Sequence, residues 1–368
     1  MQFYDFKEIE ERVILIGVQT EQDEDVAASL DELEELAATA GAVTVGKVIQ
    51  NREAVHPGTY IGKGKIEEVA ALLAAYDANG VICDDELSPA QMNNLERELD
   101  CKVMDRTLLI LDIFAGRATT SEGKIQVELA QLRYRSARLV GLRESLSRLG
   151  GGIGTRGPGE KKLETDRRLI RTRISALKAE LAQVEKHREL IRGKRTRGNL
   201  KTAAIVGYTN AGKSTLLNTL TGAGILAEDK LFATLDPTTR VLELKDGQQI
   251  LLTDTVGFIR KLPHHLVEAF KSTLEEAKYA DYIIHVVDAS NPQAELQMHT
   301  VYETLRELGA TGKKIITLLN KQDQVQGEAL RDFRADYTVK CSARTGEGLE
   351  ELKDVLAKLL AESQIYLE

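Results

Sequence analysis

Tryptophan is absent from this 368-residue chain, and cysteine is scarce. The three cysteines, Cys83, Cys101 and Cys341, are far apart and form no CxxC pair. We therefore expect neither a disulfide framework nor a zinc site, and a reducing cytoplasm fits. No apolar run approaches the about 20 residues that a membrane span needs, and no basic segment followed by an apolar one opens the chain as in a signal peptide. The remaining composition, 42% apolar and 29% charged, is that of a soluble globular protein of two or three domains.

Charge is distributed unevenly along the chain. Lys and Arg number 7 against 22 Asp and Glu in residues 1–100, 23 against 11 in residues 101–200, and 19 against 24 in residues 201–368. The net charges are −15, +12 and −5, which together give the −8 of the whole chain. This pattern indicates three units with different partners, of which only the middle one suits nucleic acid.

A phosphate-binding loop is the most informative stretch. Residues 207–214 read Gly-Tyr-Thr-Asn-Ala-Gly-Lys-Ser, which matches G-x-x-x-x-G-K-S, with a strand-like run before it and helical spacing after it. Loop amides and the helix dipole would hold a polyphosphate, with Lys213 at the β- and γ-phosphates and Ser214 on Mg²⁺. We predict nucleotide contacts at Gly207, Tyr208, Thr209, Asn210, Ala211, Gly212, Lys213, Ser214 and Thr215.

A D-x-x-G motif follows the apolar run at 250–253, and its residues are Asp254, Thr255, Val256 and Gly257. Asp254 would hold Mg²⁺ through water, and the Gly257 amide would sense the γ-phosphate. Together with Lys213, these two residues are the predicted catalytic groups.

Two later motifs select the base. Asn320, Lys321 and Asp323 form N-K-x-D, whose carboxylate can accept hydrogen bonds from the N1–H and exocyclic amine of guanine. Adenine has no donor at either point, so GTP is the predicted substrate. Ser342 and Ala343 resemble the S-A element whose backbone amide contacts the guanine oxygen.

The first switch of a GTPase lies between these motifs and gives a threonine to Mg²⁺. Residues 231–240 offer Thr234, Thr238 and Thr239; we choose Thr234, and the other two stay alternatives because spacing alone does not decide. Ser214 and Thr234 are therefore the predicted metal ligands. The predicted switch contacts are Phe232, Ala233, Thr234, Leu235 and Asp236.

Two residues bear on the hydrolysis rate. Phe258 follows D-x-x-G, where many regulatory GTPases have a glutamine that orients the attacking water. Because phenylalanine cannot hydrogen-bond water, we expect slow hydrolysis by the chain alone. Asn210 suggests a second hypothesis, that its amide oxygen helps bind a monovalent cation such as K⁺; the alternative is that Asn210 only braces the first switch.

The N-terminal third alternates strand-like and helix-like stretches. Strands are predicted at 12–18, 42–49, 80–83 and 102–105, and helices at 24–38, at 65–76 and from Pro89, with Ser88 as its N-cap. The alternation predicts a small α/β domain with a mostly parallel sheet. A turn at 56–65 with Lys63 and Lys65 could bind an anion, but a solvated turn is the favoured interpretation, as is a solvated acidic loop at 84–86.

From about residue 121 the apolar period becomes heptad-like on two long stretches separated by the glycine-rich residues 150–159. This predicts two antiparallel helices with a flexible tip. Both helices are basic, and we favour RNA contact over simple solvation because the excess charge is confined to this module. The cations are Arg133, Arg135, Arg138, Arg143, Arg148, Lys161, Lys162, Arg167, Arg168, Arg171 and Arg173, with Arg156 in the tip.

With these motifs in place, the chain resembles the HflX-type GTPases of the Obg–HflX group. The resemblance covers nearly the whole chain and is most specific at 60–65, 155–160, 232–238 and 254–258. It implies a fold of three modules: an N-terminal α/β domain (1–110), a basic helical hairpin (111–198) and a P-loop GTPase domain with a central, mostly parallel sheet (199–368).

The resemblance also implies a function. The N-terminal half would dock on the large ribosomal subunit, with the hairpin tip at rRNA near the peptidyl-transferase centre. GTP would favour the bound state, stalled ribosomes would be split, and the subunit would stimulate hydrolysis. Thr234 would bind Mg²⁺. Some members hydrolyse ATP through the N-terminal region, and some continue beyond the point that corresponds to Glu368 with a further domain.

The rival interpretation is a GTP-dependent switch that grips a protein or a non-ribosomal RNA. It has no need of the net charge of +12 in residues 101–200, which contain the helical hairpin. The sequence does not fix the oligomeric state, and a monomer is our working expectation.

Overall fold

The structure is a computed structural model, and it describes residues 10–21, 25–147, 158–197, 200–222, 231–262, 271–325 and 330–365. The chain divides into two units. The N-terminal unit comprises residues 1–116 and 128–177, and the C-terminal unit comprises residues 117–127 and 178–368.

The N-terminal unit is built on a four-stranded parallel sheet with the order β2-β1-β3-β4. Its elements begin with β1 (Arg12–Gln19), α1 (Val26–Thr39), β2 (Val43–Asn51), α2 (Lys63–Ala75), β3 (Gly80–Cys83), α3 (Pro89–Leu99), β4 (Lys102–Asp105) and α4 (Arg106–Arg117). The predicted parallel α/β architecture is confirmed, with shifts of one or two residues at several element ends.

Local chemistry explains these elements. Residues 13–18 of β1 are all buried, which is why this strand is a continuous apolar run rather than an alternating one. Helix α3 starts at a capping box, in which the Ser88 hydroxyl accepts from the Gln91 amide and the Gln91 side chain accepts from the Ser88 amide. Helix α4 was not predicted, because its continuous Leu-Leu-Ile-Leu run is as compatible with a buried strand as with a helix.

Two long helices follow, α5 (Ser121–Ser147) and α6 (Pro158–Arg197). They run antiparallel: Arg167 donates to the Leu139 carbonyl at 2.6 Å, and Arg173 pairs with Glu128 at 2.7 Å. The predicted helical hairpin is thus present. Residues 150–157 of the predicted tip lie outside the described residues, and Pro158 opens α6.

The C-terminal unit contains a six-stranded sheet with the order β10-β9-β8-β5-β7-β6, parallel except for β6. Its elements are β5 (Lys201–Gly207), α7 (Lys213–Thr221), β6 (Thr238–Glu243), β7 (Gln249–Asp254), α8 (Lys271–Tyr279), β8 (Tyr282–Asp288), α9 (Ala294–Glu307), β9 (Lys314–Asn320), β10 (Tyr337–Lys340) and α10 (Leu349–Ile365). Short 3₁₀ turns lie at Lys245–Gly247 and Gln322–Gln324.

Strand β5 lies at the point where the strand order of the sheet reverses. On one side of β5 the sheet continues with β7 and β6, and on the other side it continues with β8, β9 and β10. Ligands of open α/β sheets bind at such switch points, beyond the carboxyl ends of the strands. The predicted phosphate loop, D-x-x-G, N-K-x-D and S-A motifs follow β5, β7, β9 and β10 respectively, so all four meet at this edge.

Two strands of this sheet were missed by the sequence reading. Strand β8, Tyr-Ile-Ile-His-Val-Val-Asp, is as apolar as the runs that were recognised and could have been found by the same criterion. Strand β6 is an edge strand of mixed polarity, and Asp246-Gly247 in the turn between β6 and β7 is a hairpin signal from which the antiparallel pair could have been predicted. In the part of the chain that the structure describes, no helix is both long enough and apolar enough to cross a membrane.

Candidate functional site

The phosphate loop connects the central strand β5 to α7, and its glycines are required by close packing. Gly212 is the N-cap of α7 at φ 96°, in the left-handed region, and a Cβ there would lie 2.3 Å from Nδ2 of Asn320. A Cβ at Gly207 would lie 2.2 Å from the Val286 carbonyl oxygen on β8. Only glycine fits at Gly207 and Gly212, so the close packing of the fold explains why the motif has glycine at both positions.

Lys213 is the cation of the loop. Its side chain is buried, and Nζ donates to the Tyr208 carbonyl at 2.7 Å. Burial lowers the pKa of Lys213 to about 8, and the charge of Asp254 opposes this shift. An anionic ligand at the loop would raise that pKa again, because an opposite charge favours the ammonium form.

An oxygen cradle lies beside the loop. The Ser214 hydroxyl donates to Oδ2 of Asp254 at 2.8 Å and lies 2.6 Å from the Thr234 hydroxyl. Oδ1 of Asp254 is fully buried and, among the described residues, has no hydrogen-bond partner. Burial raises the pKa of Asp254, although Lys213 and the hydrogen bonds to its carboxylate oppose the shift. A buried carboxylate oxygen without a partner, next to two hydroxyls, is a donor set suited to a hard divalent cation.

The alternative threonines lie elsewhere. Thr238 and Thr239 belong to β6, and the Thr239 hydroxyl lies 3.0 Å from the Thr253 hydroxyl of β7. Of the three candidates, the structure brings Thr234 to Ser214 and Asp254.

The D-x-x-G segment is joined to the phosphate loop by backbone hydrogen bonds. The Thr209 amide donates to the Phe258 carbonyl at 2.7 Å, and the Phe258 amide donates to the Gly207 carbonyl at 3.1 Å. Gly257 packs so closely on this loop that a Cβ would lie 2.7 Å from Cα of Thr209. The Phe258 ring is buried, so this position contributes packing to the site.

The base-recognition motifs are braced by one asparagine. Asn320 donates from Nδ2 to the Ala211 carbonyl at 2.8 Å and accepts at Oδ1 from the Ala343 amide at 2.8 Å. It therefore ties the phosphate loop to the S-A element. Asp323 accepts from the Ser342 hydroxyl at 2.7 Å, and this hydrogen bond is the main reason that the pKa of Asp323 is lowered.

Lys321 has a partner that the sequence reading missed. Its Nζ lies 2.7 Å from Oδ2 of Asp288, the last residue of β8. Recognition of β8 from its apolar run would have placed Asp288 at the carboxyl edge, beside N-K-x-D.

The cleft contains many of the predicted contact residues but not all of them. The predicted contacts that do not line it are Gly207, Tyr208, Ala211, Leu235, Asp236, Asp254 and Val256, together with the base-recognition residues Asn320, Lys321, Asp323, Ser342 and Ala343. Its walls are formed by Thr209, Asn210, Gly212, Lys213, Ser214, Thr215, Phe232, Ala233, Thr234, Thr255 and Gly257.

Asp236 is turned away from the cleft to the start of α5. Its carboxylate accepts from the amides and hydroxyls of Thr119 and Thr120, at distances of 2.5 to 3.0 Å. The pairing joins residues more than a hundred positions apart, and no local pattern signals it.

The basic hairpin is partly committed to internal contacts. Arg138 donates to Asp105 at 2.5 Å and lies over the Tyr134 ring, and Arg173 pairs with Glu128. These two arginines thus have partners within the N-terminal unit, and RNA contact by the hairpin stays a prediction. Arg135, Arg168 and Arg171 are exposed, and the side chains of Arg143, Lys161 and Lys162, together with all of Arg148 and Arg156, lie outside the described residues.

The acidic loop of the N-terminal unit is not simply solvated. Asp84 is fully buried, with its carboxylate 2.8 Å from Arg106, and Asp85 accepts from the Tyr60 hydroxyl at 2.6 Å. The expectation of a solvated loop is wrong for Asp84, because Arg106 from α4 supplies an internal partner.

Comparison with known proteins agrees with this geometry. Family models described as "GTP-binding GTPase N-terminal", "GTP-binding GTPase Middle Region" and "50S ribosome-binding GTPase" match residues 27–115, 117–195 and 202–321. The chain is similar to a solved protein called SsGBP in complex with GDP, with a TM-score of 0.52 and 28% identity, over 95% of this chain and 99% of that one.

Two relatives carry the assignment. GTPase HflX of Lacrimispora saccharolytica is 70% identical over 365 residues, which cover 99% of this chain and 86% of that protein. GTPase HflX of Escherichia coli is 45% identical over 355 residues, which cover 95% of this chain and 83% of that protein. Identity at this level along nearly the whole chain, with a phosphate loop, a D-x-x-G segment and an N-K-x-D motif at one sheet edge, leads to one conclusion: the chain belongs to the HflX family of GTPases.

Proposed function

We propose that this GTPase is a ribosome-associated factor that binds the large ribosomal subunit and its rRNA and helps to split or rescue stalled ribosomes. The hairpin and the N-terminal unit would make the ribosomal contacts, and GTP would favour the bound state. The observation that carries the proposal is the combination of a nucleotide site with a basic helical hairpin in one chain. The match of residues 202–321 to a "50S ribosome-binding GTPase" model supports it.

The residues at the sheet edge have assigned roles in this proposal. The phosphate loop and Lys213 hold the β- and γ-phosphates, the Gly257 amide senses the γ-phosphate, and Asp323 reads guanine with Ser342 and Ala343 behind it. Ser214 and Thr234 are the direct Mg²⁺ ligands, and Asp254 supports the ion. The buried, unpartnered Oδ1 of Asp254 supports this last assignment. When bound, Mg²⁺ would neutralise charge on the phosphate oxygens.

Phe258 bears on regulation. Because its buried ring offers no hydrogen bond to water, we propose that hydrolysis is slow in the free protein and is stimulated by the ribosome. Arg135, Arg168 and Arg171 are exposed cations of the hairpin that could contact phosphate, and such contact is electrostatic and weakened by salt.

The central experiment measures the GTPase rate with and without purified large subunits. The intact chain is compared with a variant in which residues 150–159 are replaced by a short neutral linker, and with a control in which the exposed Arg306 of α9, in the C-terminal unit, is changed to Gln. Stimulation of the intact chain and of Arg306→Gln, but not of the linker variant, is the expected result.

Sedimentation distinguishes the rival function. Co-migration with large subunits under a GTP analogue, reduced at high salt and under GDP, agrees with the proposal. Equal co-migration with triphosphate and diphosphate, or none at all, favours a switch whose partner is a protein or another RNA.

A monovalent cation such as K⁺ is the remaining part of the proposal, with Asn210 as a ligand. Asn210 lines the cleft at φ 59°, and it is the neighbouring Thr209 whose hydroxyl accepts from the Phe232 amide at 3.0 Å in the first switch. That contact weakens the alternative in which Asn210 only braces the switch. GTPase rates in K⁺ and Na⁺, with and without Asn210→Ala, test this point, and equal rates in both salts would remove it.

A further inference from the structure

We propose that Asp236 is a positioning residue that sets the place of Thr234 by docking on Thr119 and Thr120, so that the first turn of α5 responds to the state of the nucleotide. The proposal rests on the assignment of Thr234 to the Mg²⁺ site. It adds a residue that touches neither nucleotide nor metal, together with a route from the first switch to the helical hairpin.

The Asp236 carboxylate occupies a pocket of four donors. Oδ2 accepts from the Thr119 amide at 3.0 Å, the Thr119 hydroxyl at 2.6 Å and the Thr120 amide at 2.9 Å, while Oδ1 accepts from the Thr120 hydroxyl at 2.5 Å. Hydrogen bonds to a charged acceptor are the stronger kind, so this is a specific attachment point.

The α5 side of the contact is shaped to receive the carboxylate. Thr120 precedes the helix, and its hydroxyl accepts from the Gly123 amide at 2.9 Å. Gly123 is inside the helix, where glycine is a poor choice, yet a Cβ there would lie 2.4 Å from Oδ1 of Asp236. Glycine at this position therefore makes room for Asp236.

The same turn of α5 is itself fixed. Glu122 forms an ion pair with Arg188 of α6, and Arg188 also lies 3.9 Å from Glu276 of α8. All of these residues belong to the C-terminal unit, so Asp236 docks on a braced surface.

The link to the metal site is short. Asp236 is separated from Thr234 only by Leu235, which is buried, and the Thr234 hydroxyl lies 2.6 Å from that of Ser214. A docked Asp236 therefore limits how far Thr234 can move from the cradle. Conversely, loss of the ligands that hold Thr234 releases Asp236, since linkage between two sites is reciprocal.

The test measures the affinities of the full chain for a GTP analogue and for GDP, and the Mg²⁺ concentration that gives half-maximal GTP hydrolysis. Asp236→Ala should weaken the GTP analogue about tenfold, raise the half-maximal Mg²⁺ concentration and leave the GDP affinity within about twofold, because the switch threonine serves the triphosphate state. A purely structural role would change both nucleotide affinities together.

Glycine variants provide a matched pair that spares Asp236. Gly123→Ala should reproduce the effect of Asp236→Ala although alanine is the better helix former, whereas Gly116→Ala on α4, where a Cβ meets nothing within 4 Å, should behave as wild type. A second pair is Thr119→Val, which removes a donor to Asp236, and Thr119→Ser, which keeps it. These variants keep the question open to experiment if Asp236→Ala folds poorly.

Hydrogen exchange reads the contact directly. The amides of the exposed Thr119 and Thr120 should be better protected with the GTP analogue than with GDP, and Asp236→Ala and Gly123→Ala should abolish the difference. Equal protection in both nucleotide states, or an unchanged ratio of GTP to GDP affinity in Asp236→Ala, overturns the proposal.

Thr234→Ala separates this proposal from the assignment on which it rests. If Thr234→Ala impairs Mg²⁺ dependence and Asp236→Ala does not, the metal assignment stands and the positioning role fails. If Thr234→Ala also leaves Mg²⁺ dependence unchanged, both fail.

Discussion

The carboxyl edges of the two parallel sheets hold buried charges in opposite ways. In the N-terminal unit, Arg106 forms ion pairs with Asp84, at 2.8 Å, and with Glu32. Asp105 accepts hydrogen bonds from the Tyr134 hydroxyl and from Arg138. In the C-terminal unit, the corresponding edge has a buried oxygen of Asp254 that lacks a hydrogen-bond partner among the described residues, and Lys213 with a lowered pKa.

This difference distinguishes a structural edge from a binding edge. Both sheets place polar residues after parallel strands, where ligands commonly bind. Where the chain supplies both members of each buried pair, the charges hold the fold together. Where it supplies one member, the second must come from a ligand, and such perturbed groups mark functional sites.

The largest expected effect breaks the internally paired edge. Arg106→Met leaves the buried Asp84 and the half-buried Glu32 without their cation, and we expect the N-terminal unit to lose about 3–5 kcal/mol of unfolding free energy. Hydrogen exchange of the β1 and β3 amides in the full chain measures this loss. The exposed Arg97→Met is the control, and unchanged protection in Arg106→Met would show that the pairs are not structural.

The second prediction concerns His285, a buried residue of β8 whose Nδ1 has no hydrogen-bond partner among the described residues. Burial lowers its pKa to about 4; Lys213 adds to the shift, and Asp332 opposes it. The unfolded chain therefore takes up this proton near pH 6.5 and the folded chain only near pH 4. Stability should fall as the pH drops through this window, by up to about 3 kcal/mol, and level off below it.

Urea unfolding of the C-terminal unit between pH 7 and 4 tests this expectation. His285→Gln should flatten the dependence, and the exposed His299→Gln should not. An equally steep dependence in His285→Gln would assign the acid sensitivity to other groups.

A third prediction sharpens the comparison at Asp254. Asp254→Asn should lower Mg²⁺-dependent GTP hydrolysis by about two orders of magnitude, because it removes the charge that supports the ion. In the absence of nucleotide, the same change should raise stability by about 0.5–1 kcal/mol, since the carboxylate is buried with one unpaired oxygen.

Removal of a buried charge thus has opposite signs at the two edges. Thermal unfolding of the nucleotide-free Asp254→Asn protein measures the effect, with the exposed Glu307→Gln as the control. Destabilisation in Asp254→Asn would mean that Asp254 is structural, as Asp84 is.

The smallest expected effect is at the exposed part of the binding edge. Asp323→Ala should weaken GTP binding about tenfold to a hundredfold and leave the weak binding of ATP unchanged, because only guanine offers two donors to this carboxylate. Competition binding with GTP and ATP gives both values. An equal loss for both nucleotides would assign Asp323 to loop structure through Ser342.

Local chemistry determined what could be predicted from the sequence. The phosphate loop could be identified because close packing requires glycine at fixed positions of the motif. The strands before each motif could be identified because a strand covered on both faces is a continuous apolar run. Helix α4 left an ambiguous signal, because its short apolar run is as compatible with a buried strand as with a helix.

Long-range partners could not be predicted in the same way. The burial of Asp84 depends on Arg106 from another element, and the position of Asp236 depends on Thr119 and Thr120. Spacing alone could not choose among Thr234, Thr238 and Thr239 either; β6 holds the latter two in its antiparallel pairing with β7.

The division of α5 between the two units has a consequence for biosynthesis. Every residue of the N-terminal unit has been translated once Leu177 is made, before the first strand of the second sheet begins at Lys201. Domains generally fold in the order in which they leave the ribosome. The nascent chain can therefore complete its N-terminal sheet early, while residues 117–127 wait for the later unit to arrive.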